Sequence, residues 1–174
     1  AVIPDAQLHT YGVGPLRRSL SAQVAEWGLA QAIHINGFTS DIAQAHKTAC
    51  CTVLCSTQEG QSISAVEAMA YGTPLISFAI KYGPRDILQD RQAGMLVPCG
   101  DEEALAAALI KVIADKTLQQ SMRQAALRNA QRYYASAIAE RWAAWLQASE
   151  RLMAAQAKAD IGLASKSPQA ASVG

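Results

Sequence analysis

Two glutamates, Glu59 and Glu67, flank the run Gly60-Gln61-Ser62-Ile63 in the segment CSTQEGQSISAVEAMAYGTP (Cys55–Pro74). The first backbone N–H groups of a helix have no intrahelical acceptor, and the helix dipole makes that end partly positive. A helix opening near Ser62 points the N–H groups of Gln61, Ser62 and Ile63 toward an anion such as phosphate. Gly60 removes a side chain where a bulky anion would approach. An ordinary capped helix with Ser62 as its cap accounts for the same spacing equally well. Glu67 falls about 40° from Ile63 on a 3.6-residue helix, inside an apolar stripe of Ile63, Val66 and Ala70. A carboxylate there is costly unless it accepts hydrogen bonds, from another part of the protein or from the hydroxyls of a sugar. These features suggest a site for a sugar linked through phosphate: Glu59 to the transferred sugar, the 61–63 amides to phosphate, Glu67 to a ribose.

Other polar positions are less specific. GVGP (12–15) supplies Gly12 and Gly14, but Arg17 occupies the place of a third glycine, so the dinucleotide fingerprint is incomplete. A tight strand-to-helix turn explains the two glycines, as does close approach of a ligand. Lys47, Lys81 and Arg85 stand at or near loop ends, where they are surface charges or contacts to phosphate or acceptor. Cys50, Cys51, Cys55 and Cys99 show neither C-x-x-C spacing nor a zinc-finger histidine, so they are expected to be small buried hydrophobes in a reducing cytosol.

The elements that must position these residues alternate. Strands are expected at 6–12, 32–37, 51–56, 74–80 and 93–98, and helices at 14–29, 40–49, 62–71, 85–90, 100–115, 117–133 and 136–154. Pro15 suits a first turn, and Leu16, Leu20, Val24 and Trp27 form one stripe. Ser40 or Asp41 caps the second helix and Asp101 the helix after 100, whose buried stripe is Leu105, Ala108, Leu109, Val112 and Ile113. Gly72 ends the 62–71 helix, and Pro74 opens the next strand. This alternation predicts an α/β fold, a Rossmann-like parallel sheet with helices on both faces. Such sheets bind ligands beyond the carboxyl ends of their strands. Those ends are 12–15, 36–41, 56–64 and 78–85, the most polar and glycine-rich loops of the chain.

Composition sets the bounds. The 174 residues suffice for one domain, with 51% hydrophobic and 17% charged residues. A net charge of +1 argues against a nucleic-acid surface. No apolar run reaches the roughly 18 residues of a membrane span, and AVIPDAQLHT does not read as a signal peptide. The expected location is cytoplasmic, or peripheral at a membrane. The absence of an initiator Met suggests a fragment or a processed start.

The segment STQEGQSISAVEAMAYGTPLISFAIKYGPRDIL resembles the donor-binding half of retaining glycosyltransferases of the GT-B fold, family 4 type, with the E-x7-E signature at Glu59 and Glu67. LHTYGVGPLRRSL, IHINGFTSDI and AGMLVPCGDEEALAAAL are similar to other stretches of that family, so the resemblance spans about residues 6–150. SFAIKYGPRDIL looks most like enzymes that glucosylate wall polymers or glycosylate serine-rich proteins. The resemblance implies a nucleotide-sugar donor, usually UDP-linked, an acceptor glycan, wall polymer or protein, and no metal or other cofactor. It implies that Glu59 approaches the donor sugar as the candidate catalytic residue, that Gly60 and the Gln61–Ile63 amides hold sugar and diphosphate, and that Glu67 takes the ribose hydroxyls. Gly12 and Gly14 would line the same site, and the loop Phe38, Thr39, Ser40 would lie near the base.

The chain departs from the family pattern at its beginning. It starts at what would be the second strand, without the usual G-R…K cations, so residues 1–156 are expected to be an incomplete nucleotide-sugar-binding domain and 157–174 a mobile tail. A missing first domain or a complementing chain is then an expected partner. Trp142 and Trp145 either pack on this domain's own sheet or, if exposed, imply that partner. The alternatives are a non-catalytic partner subunit that keeps the half-fold, and a fragment of a nucleotide-sugar epimerase of the same fold.

Overall fold

The computed structural model describes residues 3–88 and 91–164. The chain parts into two compact units, Ala1–Gln131 and Arg132–Gly174. The first carries β1 (Leu8–Thr10), α1 (Arg17–Glu26), β2 (Ile33–Ile35), α2 (Ile42–Thr48), β3 (Thr52–Leu54), α3 (Ile63–Ala70), β4 (Leu75–Phe78), α4 (Pro84–Ile87), β5 (Gly94–Val97), α5 (Glu102–Ala114) and α6 (Lys116–Ala130). The second is built on α7 (Ala135–Ala164). The order is the predicted α/β alternation, and every strand pair is parallel.

The strands form two sheets rather than one: β1 with β2, and β3-β4-β5. Among the described residues neither β1 nor β3 pairs along its second edge. In a doubly wound sheet of order 3-2-1-4-5-6, the strand that joins the two wings is the first of the six. The wings β1–β2 and β3–β4–β5 have the neighbour order found on either side of that strand.

The wings are unequally packed. All four residues of β4 are buried, because the strand is paired on both sides and covered on both faces. Ile76, Phe78 and Ile80 pack with Val97, Ala108, Val112 and Met122 in the core, and Leu105, Leu109 and Leu118 close around them. The α5 stripe is thus the expected one. Polar ties lock the joints: Asn129 Nδ2 donates to the Ile87 carbonyl at 2.6 Å, and Thr73 Oγ1 to the His46 carbonyl at 2.6 Å. In the β1–β2 wing only Val24 of the predicted α1 stripe is buried, while Leu16 and Trp27 are 65% and 58% exposed. The stripe is present in α1, but the described chain does not cover it.

One open choice is decided and two local expectations change. Asp41 rather than Ser40 caps α2, accepting from the Gln44 N–H at 3.1 Å, and Asp101 caps α5 as predicted. The helix expected at 136–154 runs to Ala164, because Ala157, Lys158, Ala159, Leu163 and Ala164, strong helix formers, outweigh Gly162 in the stretch expected to begin the mobile tail. Residues 165–174 lie outside the described residues. None of the four cysteines is fully buried: Cys50 and Cys51 are half-buried, Cys55 and Cys99 exposed, because they sit at strand ends rather than within strands.

Gly94 shows how tightly the larger sheet is built. A Cβ there would fall on the Leu75 carbonyl oxygen and against Leu88. Gly94→Ala should therefore destabilise the protein by about 1–3 kcal/mol or more. A urea unfolding curve checks this; an unchanged midpoint would contradict the close contact between β4 and β5.

Candidate functional site

The site forms where β3 and β4 end. Because these strands are parallel neighbours, the loop after β3 and the loop after β4 emerge side by side. The first carries Glu59, Gly60, Gln61 and Ser62, and the second Lys81, Tyr82 and Gly83. Ser62 holds a left-handed conformation (φ 53°, ψ 64°) just before α3. Tyr82 and Gly83 also have positive φ, 64° and 84°. A Cβ on Gly83 would lie 2.7 Å from Ser62 Oγ and 3.3 Å from Glu59 Cβ, so only glycine lets the second loop close over the first.

Ser62 occupies the cap position, yet its side chain makes no capping bond. Its hydroxyl is buried with no hydrogen-bond partner among the described residues, facing Gly83. A left-handed backbone turns the side chain away from the helix amides, which removes the capped-helix explanation. The first-turn amides of α3 therefore keep no side-chain acceptor from Ser62. Among the described residues nothing lies within 4 Å of the Cβ position of Gly60, so the approach to them is open.

Glu67 requires a correction. The buried face of α3 is Ala65, Ala68 and Met69, not Ile63, Val66 and Ala70. Two alanines allow α3 to lie close against α6, and a longer side chain would hold the helices apart. Ile63 is 68% exposed and Glu67 is exposed on the same face, one turn along from the helix start. No burial cost attaches to this carboxylate; it belongs to an open face with two residues able to meet a ligand. Its charge reaches His46 on α2, a buried ring stacked on Tyr71 with 6.0 Å between centroids. Burial pushes the His46 pKa below its usual value and Glu67 partly opposes this.

The β1–β2 wing presents a second cluster. The Gly12 N–H donates to the Gly37 carbonyl at 3.0 Å, tying GVGP to the loop after β2. Gly12 has φ 141°. Gly12, Gly14, Arg17 and Asn36 line a groove of about 280 Å³. Phe38 is 80% exposed, Ser40 is exposed, and Thr39 Oγ1 accepts from the Asp41 N–H at 3.1 Å. The strand pairs therefore assemble the predicted residues as two groups: Glu59, Gly60, Gln61, Ser62, Ile63 and Glu67 on one wing, Gly12, Gly14, Phe38, Thr39 and Ser40 on the other.

The candidate cations are partly engaged. Arg85 Nη2 donates to the Ala79 carbonyl at 3.3 Å, the Lys81 ammonium lies 6.0 Å from the Tyr82 ring centre, and that of Lys47 5.6 Å from Tyr71. Sequence reasoning missed Gly83, His46 and Arg17. The guanidinium of Arg17 lies 3.7 Å from the Cβ position of Gly37. The Gly-Pro pair at 83–84 was the available signal for the first. The other two depend on contacts between distant segments.

Residues 1–129 match the family described as Glycosyl transferases group 1. The chain is 30% identical over 141 residues to an exopolysaccharide phosphotransferase of Streptomyces coelicolor, covering 80% of this chain and 15% of that protein. It is 26% identical over 137 residues to a poly(ribitol-phosphate) alpha-N-acetylglucosaminyltransferase of Staphylococcus aureus, covering 78% of this chain and 28% of the relative. A crystal structure of S. aureus TarM with fondaparinux, alpha-GlcNAc-glycerol and UDP superposes with a TM-score of 0.73 at 26% identity, over 78% of this chain and 28% of that one. The chain thus spans less than a third of the length of each. Its parallel α/β wings are those of GT-B glycosyltransferases. With three-quarters of its length matched, the chain belongs to the group 1 glycosyl transferase family.

Proposed function

We propose that this chain is the donor-binding part of a retaining glycosyltransferase of the family 4 type, carrying the E-x7-E signature at Glu59 and Glu67. In this reading the donor is a UDP-linked hexose and the acceptor a polymer, glycan or protein. The observation that carries the proposal is the uncapped start of α3, open at Gly60, with Glu59 before it and Glu67 on its exposed face. A diphosphate suits the amides of Gln61, Ser62 and Ile63 that lead into α3, and the Ser62 hydroxyl, without a partner among the described residues, stands at the same turn. An exposed carboxylate one turn along accepts two vicinal ribose hydroxyls. Glu59 orients the sugar, and the loop Phe38–Ser40, with Gly12 and Gly14, lies toward the base.

The chemistry asks little of an acid. A nucleoside diphosphate leaves readily once preorganised donors stabilise its growing charge. In a retaining transfer the departing phosphate takes the acceptor's proton, and Glu59 positions the donor without attacking it. This differs from glycosidases, where two carboxylates flank the scissile bond. The acceptor side would come from a further domain or a complementing chain. The two unjoined sheets support a need for such completion. They also favour the second reading, a partner subunit that keeps the half-fold without transfer.

Calorimetry with UDP and UDP-sugars tests the donor site. UDP should bind, and Glu67→Ala should weaken it by about 1.5–3 kcal/mol, roughly 10- to 150-fold. Gly60→Ala should leave thermal stability unchanged, since its Cβ meets nothing, yet weaken UDP about tenfold by crowding the phosphate. Binding insensitive to both substitutions would overturn the assignment. UDP binding without transfer, once the missing partner is supplied, would select the second reading.

The charge of Glu67 also has a reporter on the free protein. Glu67 raises the His46 pKa against burial. Glu67→Gln should move the His46 imidazole titration to lower pH by NMR. Because the folded pKa is depressed, His46 contributes stability above the unfolded pKa of about 6.5 and loses it as pH falls through the folded value. His46→Gln should flatten that part of the stability profile, and an unchanged profile would refute a buried neutral ring.

A further inference from the structure

We propose that Cys50 and Cys51, which immediately precede β3, form a peroxide-sensitive dithiol in which Cys50 is the sulfur oxidised first and Cys51 the resolving one. The pair lies before β3, whereas the donor loop leaves that strand's other end, so it is independent of the site described above. The two sulfurs are 4.0 Å apart. Both residues are half-buried, and Cys51 packs against the core of Ile76, Phe78 and Val97. The backbone is pinned on either side. Arg123 donates to the Ala49 and Lys47 carbonyls at 3.1 and 3.2 Å, and the Thr52 N–H donates to the Pro74 carbonyl at 2.8 Å. The dipeptide therefore presents two neighbouring thiols from a fixed frame.

Their environments divide the roles. The hydrogen-bonded contact between the two sulfurs, helped by backbone N–H groups and the charge of Lys116, pulls the Cys50 pKa down to about 6 despite burial. The same bond and deeper burial push Cys51 up, so it stays a thiol. Burial and Glu102 push Cys55 up as well.

The step balances with hydrogen peroxide as oxidant. The Cys50 thiolate attacks one peroxide oxygen, the O–O bond breaks, and the leaving hydroxide takes a proton from solvent to become water. The resulting sulfenic acid is attacked by Cys51, which forms the S–S bond, gives up its proton and expels a second water. Two thiols lose two electrons and two protons in total, and peroxide becomes two waters. Adjacent Cα atoms stand about 3.8 Å apart, shorter than the usual disulfide span of about 4.4–6.8 Å. The bond so formed is therefore strained and easily reduced, as reversible redox sites are.

A brief peroxide pulse on the purified chain, followed by alkylation and peptide mass mapping, tests this. In the unaltered protein the peptide holding both cysteines should lose two hydrogens, and dithiothreitol should restore them. Cys51→Ser should instead trap dimedone at Cys50, and Cys50→Ser should slow oxidation at this peptide roughly tenfold or more. The idea fails if Cys50 remains alkylatable while Cys55 or Cys99 takes up oxygen. It fails equally if Cys50→Ser oxidises at Cys51 as fast as the parent. The unaltered protein answers by itself, so a variant that folds poorly does not decide the matter.

Discussion

The candidate site depends on one constraint, the complete burial of β4. A four-residue strand buried on both faces and paired on both edges has a fixed register with β3 and β5. A slip by one residue would exchange Ile76 and Phe78 for Leu75 and Ser77 across the two faces. The register fixes where β3 and β4 stop, and thereby brings Glu59 beside Gly83. The loops themselves contribute little packing and take their position from the strands beneath them. This is the usual division in parallel α/β folds, where a rigid sheet holds mobile chemistry at its carboxyl edge.

Within that frame, strain is concentrated at the turn into α3. Ser62 and Tyr82 both adopt positive φ without being glycine, a conformation that disfavours side chains. They sit on the two loops that Gly83 brings together. A buried hydroxyl with no partner adds a second cost at the same spot. Natural folds retain such costs where the surrounding structure over-determines them, and they gather at ligand sites. Both costs lie at the turn from which the proposed phosphate amides project.

Much of this was legible in the sequence. The strand–helix alternation, the caps at Asp41 and Asp101, the end of α3 at Gly72 and the α5 stripe follow from spacing and local chemistry, and the structure repeats them. The inner face of α3 was not legible. Ile63, Val66 and Ala70 form as good a helical stripe as Ala65, Ala68 and Met69 and are the more apolar set. Hydrophobicity alone selects the wrong one. The deciding quantity is size: α6 approaches closely only over alanines, and that information resides in the partner helix. The cysteines were misjudged for a related reason, since composition says how often cysteine is buried but not that these four stand at strand ends. The union of the loops after β3 and β4 could be inferred from topology, whereas the contacts of Glu59, Ser62 and Gly83 could not.

The division of the sheet bears on how such a site would work. The proposed phosphate and ribose residues stand on the wing with the packed core, and the proposed base loop on the wing whose apolar side chains are largely exposed. A nucleotide that contacts both must hold the wings at a fixed separation, and among the described residues neither sheet supplies that through hydrogen bonds, because β1 and β3 each keep an unpaired edge there. A parallel strand inserted between them would satisfy both edges, and a helix following it could cover Leu16 and Trp27. Preorganisation of the wings, rather than new contacts to ligand, would then be its main contribution to affinity. The residues proposed for phosphate and ribose stand together on the packed wing, and such a strand would set their distance from those proposed for the base.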